Sequence, residues 1–242
     1  EPEGGASAVA ELRLKAGGRE VCVIPVKLIR PRLWSSDDPY LYTAELSLST
    51  AGAAAADHRN VFFGMRKIEA KGGKFLLNGV PLQLTGMLHW GMYLDRLSVR
   101  PDREQVRKEI ADLKEAGFNS VKFTLFDPPC YVLDEFDRLG MYAYIEYPIW
   151  NPIETPAFFD RARKQIREML VKDRNHPSVI LTDFNCEMHF FSEEMDKLMR
   201  ELVDAGKELA PNRLYLDNSG NGVTRYGDFY ALHPYFPLKG FR

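Results

Sequence analysis

The stretch "NHPSVILTDFNCEMH", residues 175–189, decides how the fold is interpreted. Its apolar run, Val179-Ile180-Leu181, is typical of a buried strand. Polar residues follow that run directly: Thr182, Asp183, Asn185, Cys186 and Glu187, with His189 close behind. The pattern predicts a strand that starts inside a core and ends, at its carboxyl end, in a cluster of polar groups.

The chain after residue 70 alternates between strand-like and helix-like segments. Strands are predicted to end at Gly86 and to occupy residues 120–126, 141–150, 179–183, 213–220 and 228–236. Helical spacing is found at residues 100–118, 131–140, 155–175 and 192–210, and the third of these has Thr155 as N-cap and Pro156 at its first position. This alternation predicts a parallel sheet covered by helices.

Two parallel architectures compete, an open doubly wound sheet and a (β/α)8 TIM barrel. No glycine-rich phosphate loop follows any predicted strand, which disfavours the doubly wound nucleotide-binding fold. Polar residues instead follow several successive strands: His89, Asp127, Glu146, Glu187, Asp217-Asn218 and His233. Barrel enzymes build their active sites from such strand ends. We therefore predict a partial TIM barrel of about six strands, and expect the chain to be part of a larger protein.

The chain before residue 70 has a different secondary-structure pattern, with strand-like segments only. β-like segments occupy residues 21–29, 41–50 and 60–70, whereas the tight hairpin predicted by Asn78-Gly79 between two apolar runs lies after residue 70. Three strands are too few for a sandwich, so they would be the latter part of an all-β domain. We predict a boundary between residues 1–70 and residues 71–242.

Composition excludes some partners and leaves the cellular compartment open. The 242 residues are 45% hydrophobic and 27% charged with a net charge of −2, which does not favour nucleic acid. No apolar run is long enough to suggest a membrane span. The three cysteines, Cys22, Cys130 and Cys186, lie far apart and are expected to be free thiols. Cytoplasmic, periplasmic and secreted locations all remain possible, and the oligomeric state is undecided.

A carboxyl group at the top of a barrel strand, beside apolar walls, suits acid catalysis. Desolvation would raise the pKa of Glu187, and a raised pKa suits a general acid. One carboxyl group is not sufficient for glycoside hydrolysis, because the usual mechanism needs two that flank the scissile bond.

Five blocks of sequence, in one order, resemble glycoside hydrolase family 2. They are "LWSSDDPYLYTAELSL", "FGMRKIEAKGGKFLLNGVPLQLTGMLHWG", "AGFNSVKFT", "DEFDRLGMYAYIEYP" and "RNHPSVILTDFNCE". The family includes β-galactosidases, β-glucuronidases and β-mannosidases, and the resemblance runs from about residue 31 to the end. It implies that part of an immunoglobulin-like β-sandwich precedes a catalytic TIM barrel.

The resemblance implies a catalytic role for Glu187, as the acid/base of a retaining mechanism. The nucleophile would be a second Glu on barrel strand seven, outside this chain. The family's sugar-contacting Asn falls on Cys186, whose thiol is a weak hydrogen-bond partner. Asn185 could replace it only through a local bulge or twist, because adjacent strand residues face opposite ways.

The resemblance also suggests residues that bind substrate. Lys122 stands where most relatives have an Arg, and it keeps the charge but loses the bidentate fork. His89 and Trp90 match a segment that follows strand one in the family and are plausible at the sugar site, and Trp150 lies near a strand end. His233 and Tyr235 resemble the His-x-Tyr of related barrel glycosidases, in which the Tyr hydrogen-bonds the nucleophile. Trp90 and Trp150 could stack on a sugar face. For each of these residues ordinary packing or loop hydrogen bonding is the alternative, while Glu146 and Asp127 are expected to be supporting or solvated groups.

The sequence therefore predicts a retaining β-glycoside hydrolase that acts on a carbohydrate substrate and needs no metal or organic cofactor. A non-catalytic carbohydrate-binding or scaffold protein with the same fold is the alternative, which the changes at Cys186 and Lys122 favour. A metal-dependent barrel hydrolase is disfavoured because the five histidines lie on separate segments. The sequence does not name the sugar.

Overall fold

A computed structural model describes residues 6–13, 15–49, 57–93, 100–189, 191–220 and 224–235. Its strands are β1 (Tyr42–Leu48), β2 (Asp57–Phe63), β3 (Ile68–Lys71), β4 (Lys74–Leu77), β5 (Val80–Leu82), β6 (Gly86–His89), β7 (Ser120–Phe123), β8 (Tyr142–Glu146), β9 (Val179–Asp183) and β10 (Leu214–Leu216). Its helices are α1 (Arg103–Glu115), α2 (Cys130–Leu139), α3 (Pro156–Asp173) and α4 (Glu193–Leu209). Within these ranges no helix is both long and apolar enough to cross a membrane.

A five-stranded sheet, in the order β10-β9-β8-β7-β6, forms the centre of the fold. Every neighbouring pair in it is parallel. Strand order follows chain order, so the described sheet has no point at which the order reverses. Doubly wound nucleotide-binding sheets have such a reversal and bind their ligand there. The predicted parallel sheet with intervening helices is thus confirmed.

Local signals in the sequence set the helix boundaries. The side chains of Asp102, Thr155 and Ser192 accept hydrogen bonds from the first turns of α1, α3 and α4, at 2.8, 3.1 and 3.0 Å. Such caps satisfy amide groups that have no partner within the helix. Helix α2 ends at Gly140 in the left-handed conformation, with a φ of 68°. The predicted roles of Thr155 and Pro156 are confirmed.

Two antiparallel units precede the parallel sheet. Strands β1 and β2 form a hairpin, and β3, β4 and β5 form a three-stranded meander. Asn78 and Gly79 both have positive φ, 54° and 82°, as a two-residue hairpin turn requires. The β3–β4 pairing crosses the predicted boundary at residue 70.

The N-terminal segment packs against the amino-terminal edge of the parallel sheet. Trp34 is fully buried and its indole N–H donates to the carbonyl of Asp137 at 2.8 Å. The Arg66 guanidinium donates to the carbonyls of Pro177 and Val179 at 2.7 and 2.6 Å, where β9 begins. These contacts leave the carboxyl ends of the strands open.

Four predictions about strands were wrong. Residues 21–29 form no strand, and Val21 and Val23 remain 89% and 86% exposed, because no neighbouring strand pairs with them in the described structure. The segment 60–70 spans the end of β2 and most of β3. Gly86 begins β6 instead of ending a strand.

The fourth error concerns the predicted sixth barrel strand. Residues 228–235 have no ladder; their backbone makes single bonds, from Asp228 N–H to the Tyr215 carbonyl and from Gly220 N–H to the Ala231 carbonyl. Pro234 has no N–H for a ladder. Phe236, the last residue of that predicted strand, lies outside the described residues. The described part of the sheet therefore has five strands instead of six.

Candidate active site

A cavity of about 660 Å³ opens at the carboxyl ends of the parallel strands. Seven of the residues predicted to form the site line it: Trp90, Lys122, Trp150, Cys186, Glu187, His233 and Tyr235. The other lining residues are mostly apolar: Leu88, Thr124, Leu125, Tyr144, Ala231, Leu232 and Pro234. Predicted site residues His89 and Asn185 are not among its lining residues.

A sharp backbone turn after β9 orients Glu187. Its φ is 56°, a left-handed conformation that costs a non-glycine residue about 1–3 kcal/mol. Bonds to the segment after β10 hold this turn: Glu187 N–H donates to the Ser219 carbonyl at 2.8 Å, and Ser219 N–H donates to the Asn185 carbonyl at 2.9 Å. The turn leaves the Glu187 side chain on the cavity wall.

Asn185 does not line the cavity. It is fully buried, and its amide nitrogen lies 2.7 Å from the sulfur of Met188. The backbone turn therefore exposes Glu187 to the cavity and does not bring Asn185 to it.

One oxygen of Glu187 lies within hydrogen-bond distance of two side chains. His233 Nδ1 lies 2.8 Å from Glu187 Oε1, and the Tyr235 hydroxyl donates to the same oxygen. The Tyr235 bond, followed by the His233 contact, lowers the pKa of Glu187 despite partial burial. The expectation of a raised pKa is therefore wrong for this site, because bonds to the charged carboxylate outweigh its desolvation.

Lys122 lies at the centre of a buried charge cluster beneath the cavity. Its ammonium group pairs with Glu146, lies 3.5 Å from Asp183 Oδ2 and lies 4.7 Å from the centre of the Tyr144 ring. Both carboxylates are fully buried. Burial alone would lower the pKa of Lys122, but Asp183 and Glu146 raise it, so the lysine stays charged.

The remaining contacts of the cluster connect it with the segments that hold Glu187. The Ser219 hydroxyl donates to Glu146 Oε2 at 2.7 Å, and the Tyr144 hydroxyl donates to Asp183 Oδ2 at 2.5 Å. Lys122 Nζ also lies 3.4 Å from His233 Nε2. Burial raises the pKa of Asp183 well above its ordinary value.

Cys186 is a buried thiol. It is 5% exposed, and burial raises its pKa to about 12, so it is protonated at neutral pH. Its ligand atom lies within 4.8 Å of those of Glu187 and His233, and the three could hold a metal ion. This sulfur, oxygen and nitrogen set suits a soft divalent ion. The nearby Lys122 ammonium and the protonated thiol both oppose such binding.

His89 and the two exposed tryptophans differ in their access to the cavity. His89 Nδ1 accepts from the Gly91 amide at 2.9 Å, and its ring packs 4.9 Å from the ring of Tyr93. Trp90 and Trp150 are 54% and 55% exposed along the cavity. The tryptophans are therefore accessible to a ligand, whereas His89 is engaged in loop contacts.

Sequence reasoning missed the role of Ser219 and left Asp183 without one. The run Asn218-Ser219-Gly220 after an apolar strand was the available signal. Asp127 lies outside the cavity, 2.9 Å from Lys172 Nζ, and burial beside Asp173 raises its pKa to about 7. His176 Nδ1 lies 2.6 Å from Asp137 Oδ2, away from the cavity.

A family profile, a related sequence and solved structures all relate this chain to one family of enzymes. The profile of glycosyl hydrolases family 2 matches residues 2–66. A β-galactosidase of Thermoanaerobacter pseudethanolicus is 30% identical over 211 residues, which are 84% of this chain and 28% of that protein. This chain is a relative of the family 2 glycoside hydrolases. It spans less than a third of the length of that curated relative.

Solved structures agree with this relationship. A family 2 glycosyl hydrolase from Bacteroides cellulosilyticus is 28% identical with a TM-score of 0.71, covering 82% of this chain and 26% of that one. A β-glucuronidase from Parabacteroides merdae is 26% identical with a TM-score of 0.71, covering 79% of this chain and 25% of that one.

Proposed function

We propose that the protein is a retaining β-glycoside hydrolase in which Glu187 is the acid/base. The position of Glu187 carries this proposal: it lies at the carboxyl end of β9, on the wall of the cavity, with Oε1 held by two side chains. The substrate would be a carbohydrate with a β-linked leaving group. The relatives named above act, by their names, as a β-galactosidase and a β-glucuronidase.

The proposal includes a domain arrangement. Residues 71–242 would form the first part of a TIM barrel, which is supported by five parallel strands in chain order. Residues 1–70 would be the latter part of an immunoglobulin-like sandwich, with β1 and β2 as its antiparallel hairpin. The second carboxylate would come from a barrel strand outside these 242 residues.

The two oxygens of Glu187 have different tasks in this mechanism. Oε1 accepts from His233 and Tyr235, so the transferable proton of the acid form would be on Oε2. Glu187 would protonate the departing glycosidic oxygen while the second carboxylate attacks the anomeric carbon. Glu187 would then remove a proton from water as that water releases the sugar from the second carboxylate.

The lowered pKa of Glu187 describes the site without that second carboxylate. A negative carboxylate about 5–5.5 Å away, as retaining enzymes have, would raise the pKa of Glu187. Formation of the covalent intermediate then neutralises the nucleophile, and Glu187 becomes the base. The hydrogen bonds from His233 and Tyr235 would stabilise that ionised form.

Hydrolysis of 4-nitrophenyl β-glycosides by the complete natural polypeptide tests the proposal. β-Galactoside, β-glucuronide and β-mannoside should be assayed separately, because the sugar is undetermined. We expect release of nitrophenol from at least one of them. Glu168→Gln, on the exposed face of α3, should leave the rate unchanged, whereas Glu187→Gln should slow alkyl glycoside hydrolysis about 10²–10⁴-fold.

A non-catalytic carbohydrate-binding protein is the second candidate. The observation that favours it is Cys186, since a protonated, buried thiol replaces the amide that contacts the sugar in the resembling family. Sugar binding without hydrolysis by the complete polypeptide would support this candidate and contradict the first.

A further inference from the structure

The two ring nitrogens of His233 lie beside groups of opposite charge. Nδ1 is 2.8 Å from the carboxylate oxygen Oε1 of Glu187, and Nε2 is 3.4 Å from the ammonium nitrogen of Lys122. The ring thus lies between an anion and a cation. About a fifth of each of the Glu187 and His233 side chains is exposed, and Lys122 is 11% exposed.

These two neighbours determine where the proton on the ring must be. An ionised carboxylate accepts hydrogen bonds and does not donate them, so Nδ1 must carry a hydrogen. An ammonium group donates and does not accept, so Nε2 must present its lone pair. A hydrogen on Nε2 would point at three N–H donors and a full positive charge. The geometry therefore requires a neutral ring with its hydrogen on Nδ1.

Lys122 can enforce this state because its own position is fixed. Its ammonium pairs with Glu146, lies 3.5 Å from Asp183 and lies 3.3 Å from the Ser219 hydroxyl. The ammonium also packs over the Tyr144 ring. Groups on β8, β9 and the segment after β10 thereby hold the charge of this β7 residue beside His233.

We propose that Lys122 is a positioning residue that keeps a hydrogen off His233 Nε2, so that the ring which donates from Nδ1 to Glu187 is the neutral Nδ1–H tautomer. The role assigned to Glu187 rests on the proposed function, but the tautomer itself does not. Without Lys122, no cation would exclude a hydrogen from Nε2, while the Glu187 carboxylate would still favour the hydrogen on Nδ1. The ring could then carry a hydrogen on both nitrogens.

The tautomer can be measured in the unmodified protein. Two-bond 15N–1H correlation spectra of 15N-histidine-labelled protein distinguish protonated from unprotonated ring nitrogens. His89 is an internal reference for the opposite tautomer, with its hydrogen on Nε2. Its Nδ1 accepts from the Gly91 amide, and burial lowers its pKa. His233→Gln assigns the resonance. We expect a protonated Nδ1 and an unprotonated Nε2 at neutral pH.

The role of Lys122 needs a variant that avoids a second defect. Lys122→Met alone leaves the buried Glu146 carboxylate without its ion-pair partner, so it is combined with Glu146→Gln. Asp183 also loses the ammonium but keeps the hydrogen bond from the Tyr144 hydroxyl. We expect His233 to gain substantial Nε2–H population in the double variant, while His89 and His176 keep their spectra. Lys122→Arg, which still donates, should keep the Nδ1–H tautomer.

Two results would overturn the inference. One is an Nε2–H or doubly protonated His233 in the unmodified protein. The other is an unchanged Nδ1–H tautomer after Lys122→Met/Glu146→Gln. Neither result depends on hydrolysis, so an inactive protein with the Nδ1–H ring would contradict the proposed function and leave this inference intact.

Discussion

Gly220 lies so close to Glu187 that a β-carbon at residue 220 would approach the Glu187 Cγ to 2.8 Å. The same β-carbon would lie 3.0 Å from His233 Nδ1. A side chain at this position would therefore occupy the space in which the acid/base and its histidine meet. Gly220 also has a φ of 98°, which other residues rarely adopt.

We predict that Gly220→Ala displaces Glu187 and lowers glycoside hydrolysis by the complete polypeptide at least about tenfold, which corresponds to about 1.4 kcal/mol of transition-state stabilisation. Gly117→Ala is the matched control, because Gly117 has a φ of 85° but nothing lies within 4 Å of its would-be β-carbon. Both variants should lose stability through backbone strain. An equal loss of activity in the two would contradict a specific role for the space at Gly220.

Tyr235→Phe should raise the pKa of Glu187 towards its ordinary value. The Tyr235 hydroxyl is the first cause of the lowered pKa, and phenylalanine cannot donate a hydrogen bond. The measurement is a pH titration of the 13C-labelled glutamate carboxyl group, assigned by Glu187→Gln. An unchanged pKa would show that the hydroxyl does not bond the carboxylate in solution.

Tyr235→Phe should also alter how the free energy of unfolding depends on pH. A lowered pKa in the folded state contributes stability above the unfolded pKa, and that contribution is lost as pH falls through the folded pKa. Unfolding free energies of the unmodified protein and Tyr235→Phe should therefore differ most near neutral pH and converge in acid. A difference that grows as pH falls would contradict this sign.

Lys122→Met should destabilise the protein by about 3–5 kcal/mol, the typical cost of removing one partner of a buried ion pair. Glu146 would be left charged and fully buried, although Ser219 still donates to it. Adding Glu146→Gln should recover part of the loss. Denaturant unfolding measures both effects.

An exposed ion pair provides the control for that comparison. Lys108 and Asp112 pair on the surface of α1, with side chains 74% and 59% exposed. Lys108→Met should change the unfolding free energy by no more than about 0.5 kcal/mol. If both lysine variants had similarly small effects, the Lys122 cluster would not be a buried network in solution.

Much of the fold could be predicted because its signals are local. Helix α3 was expected from Thr155 and Pro156, and the β4–β5 turn was expected from Asn78-Gly79. Segments 21–29 and 228–235 were misassigned because a strand exists only where another strand pairs with it. Apolar composition shows the preference of a segment and gives no information about its partner.

Residues of the candidate site were likewise predictable only where the signal lies within one short run of sequence. Glu187 could be proposed from the sequence because it lies in a run of residues that resembles a known family. The Lys122–Glu146 pair could not, because these residues are far apart in the chain and meet only through the parallel register of β7 and β8. The lowered pKa of Glu187 depends on Tyr235, whose position follows from a segment that is neither helix nor strand.

The dependence of hydrolysis on the leaving group tests the central claim most directly. Rates of the complete polypeptide and of its Glu187→Gln variant would be compared on an alkyl β-glycoside and on a 2,4-dinitrophenyl β-glycoside of the same sugar. The alkyl leaving group needs a proton, and the dinitrophenolate does not. We predict a loss on the alkyl substrate that is at least about a hundredfold greater than the loss in the glycosylation step on the activated one. Equal losses on both substrates would contradict the assignment of Glu187 as the acid.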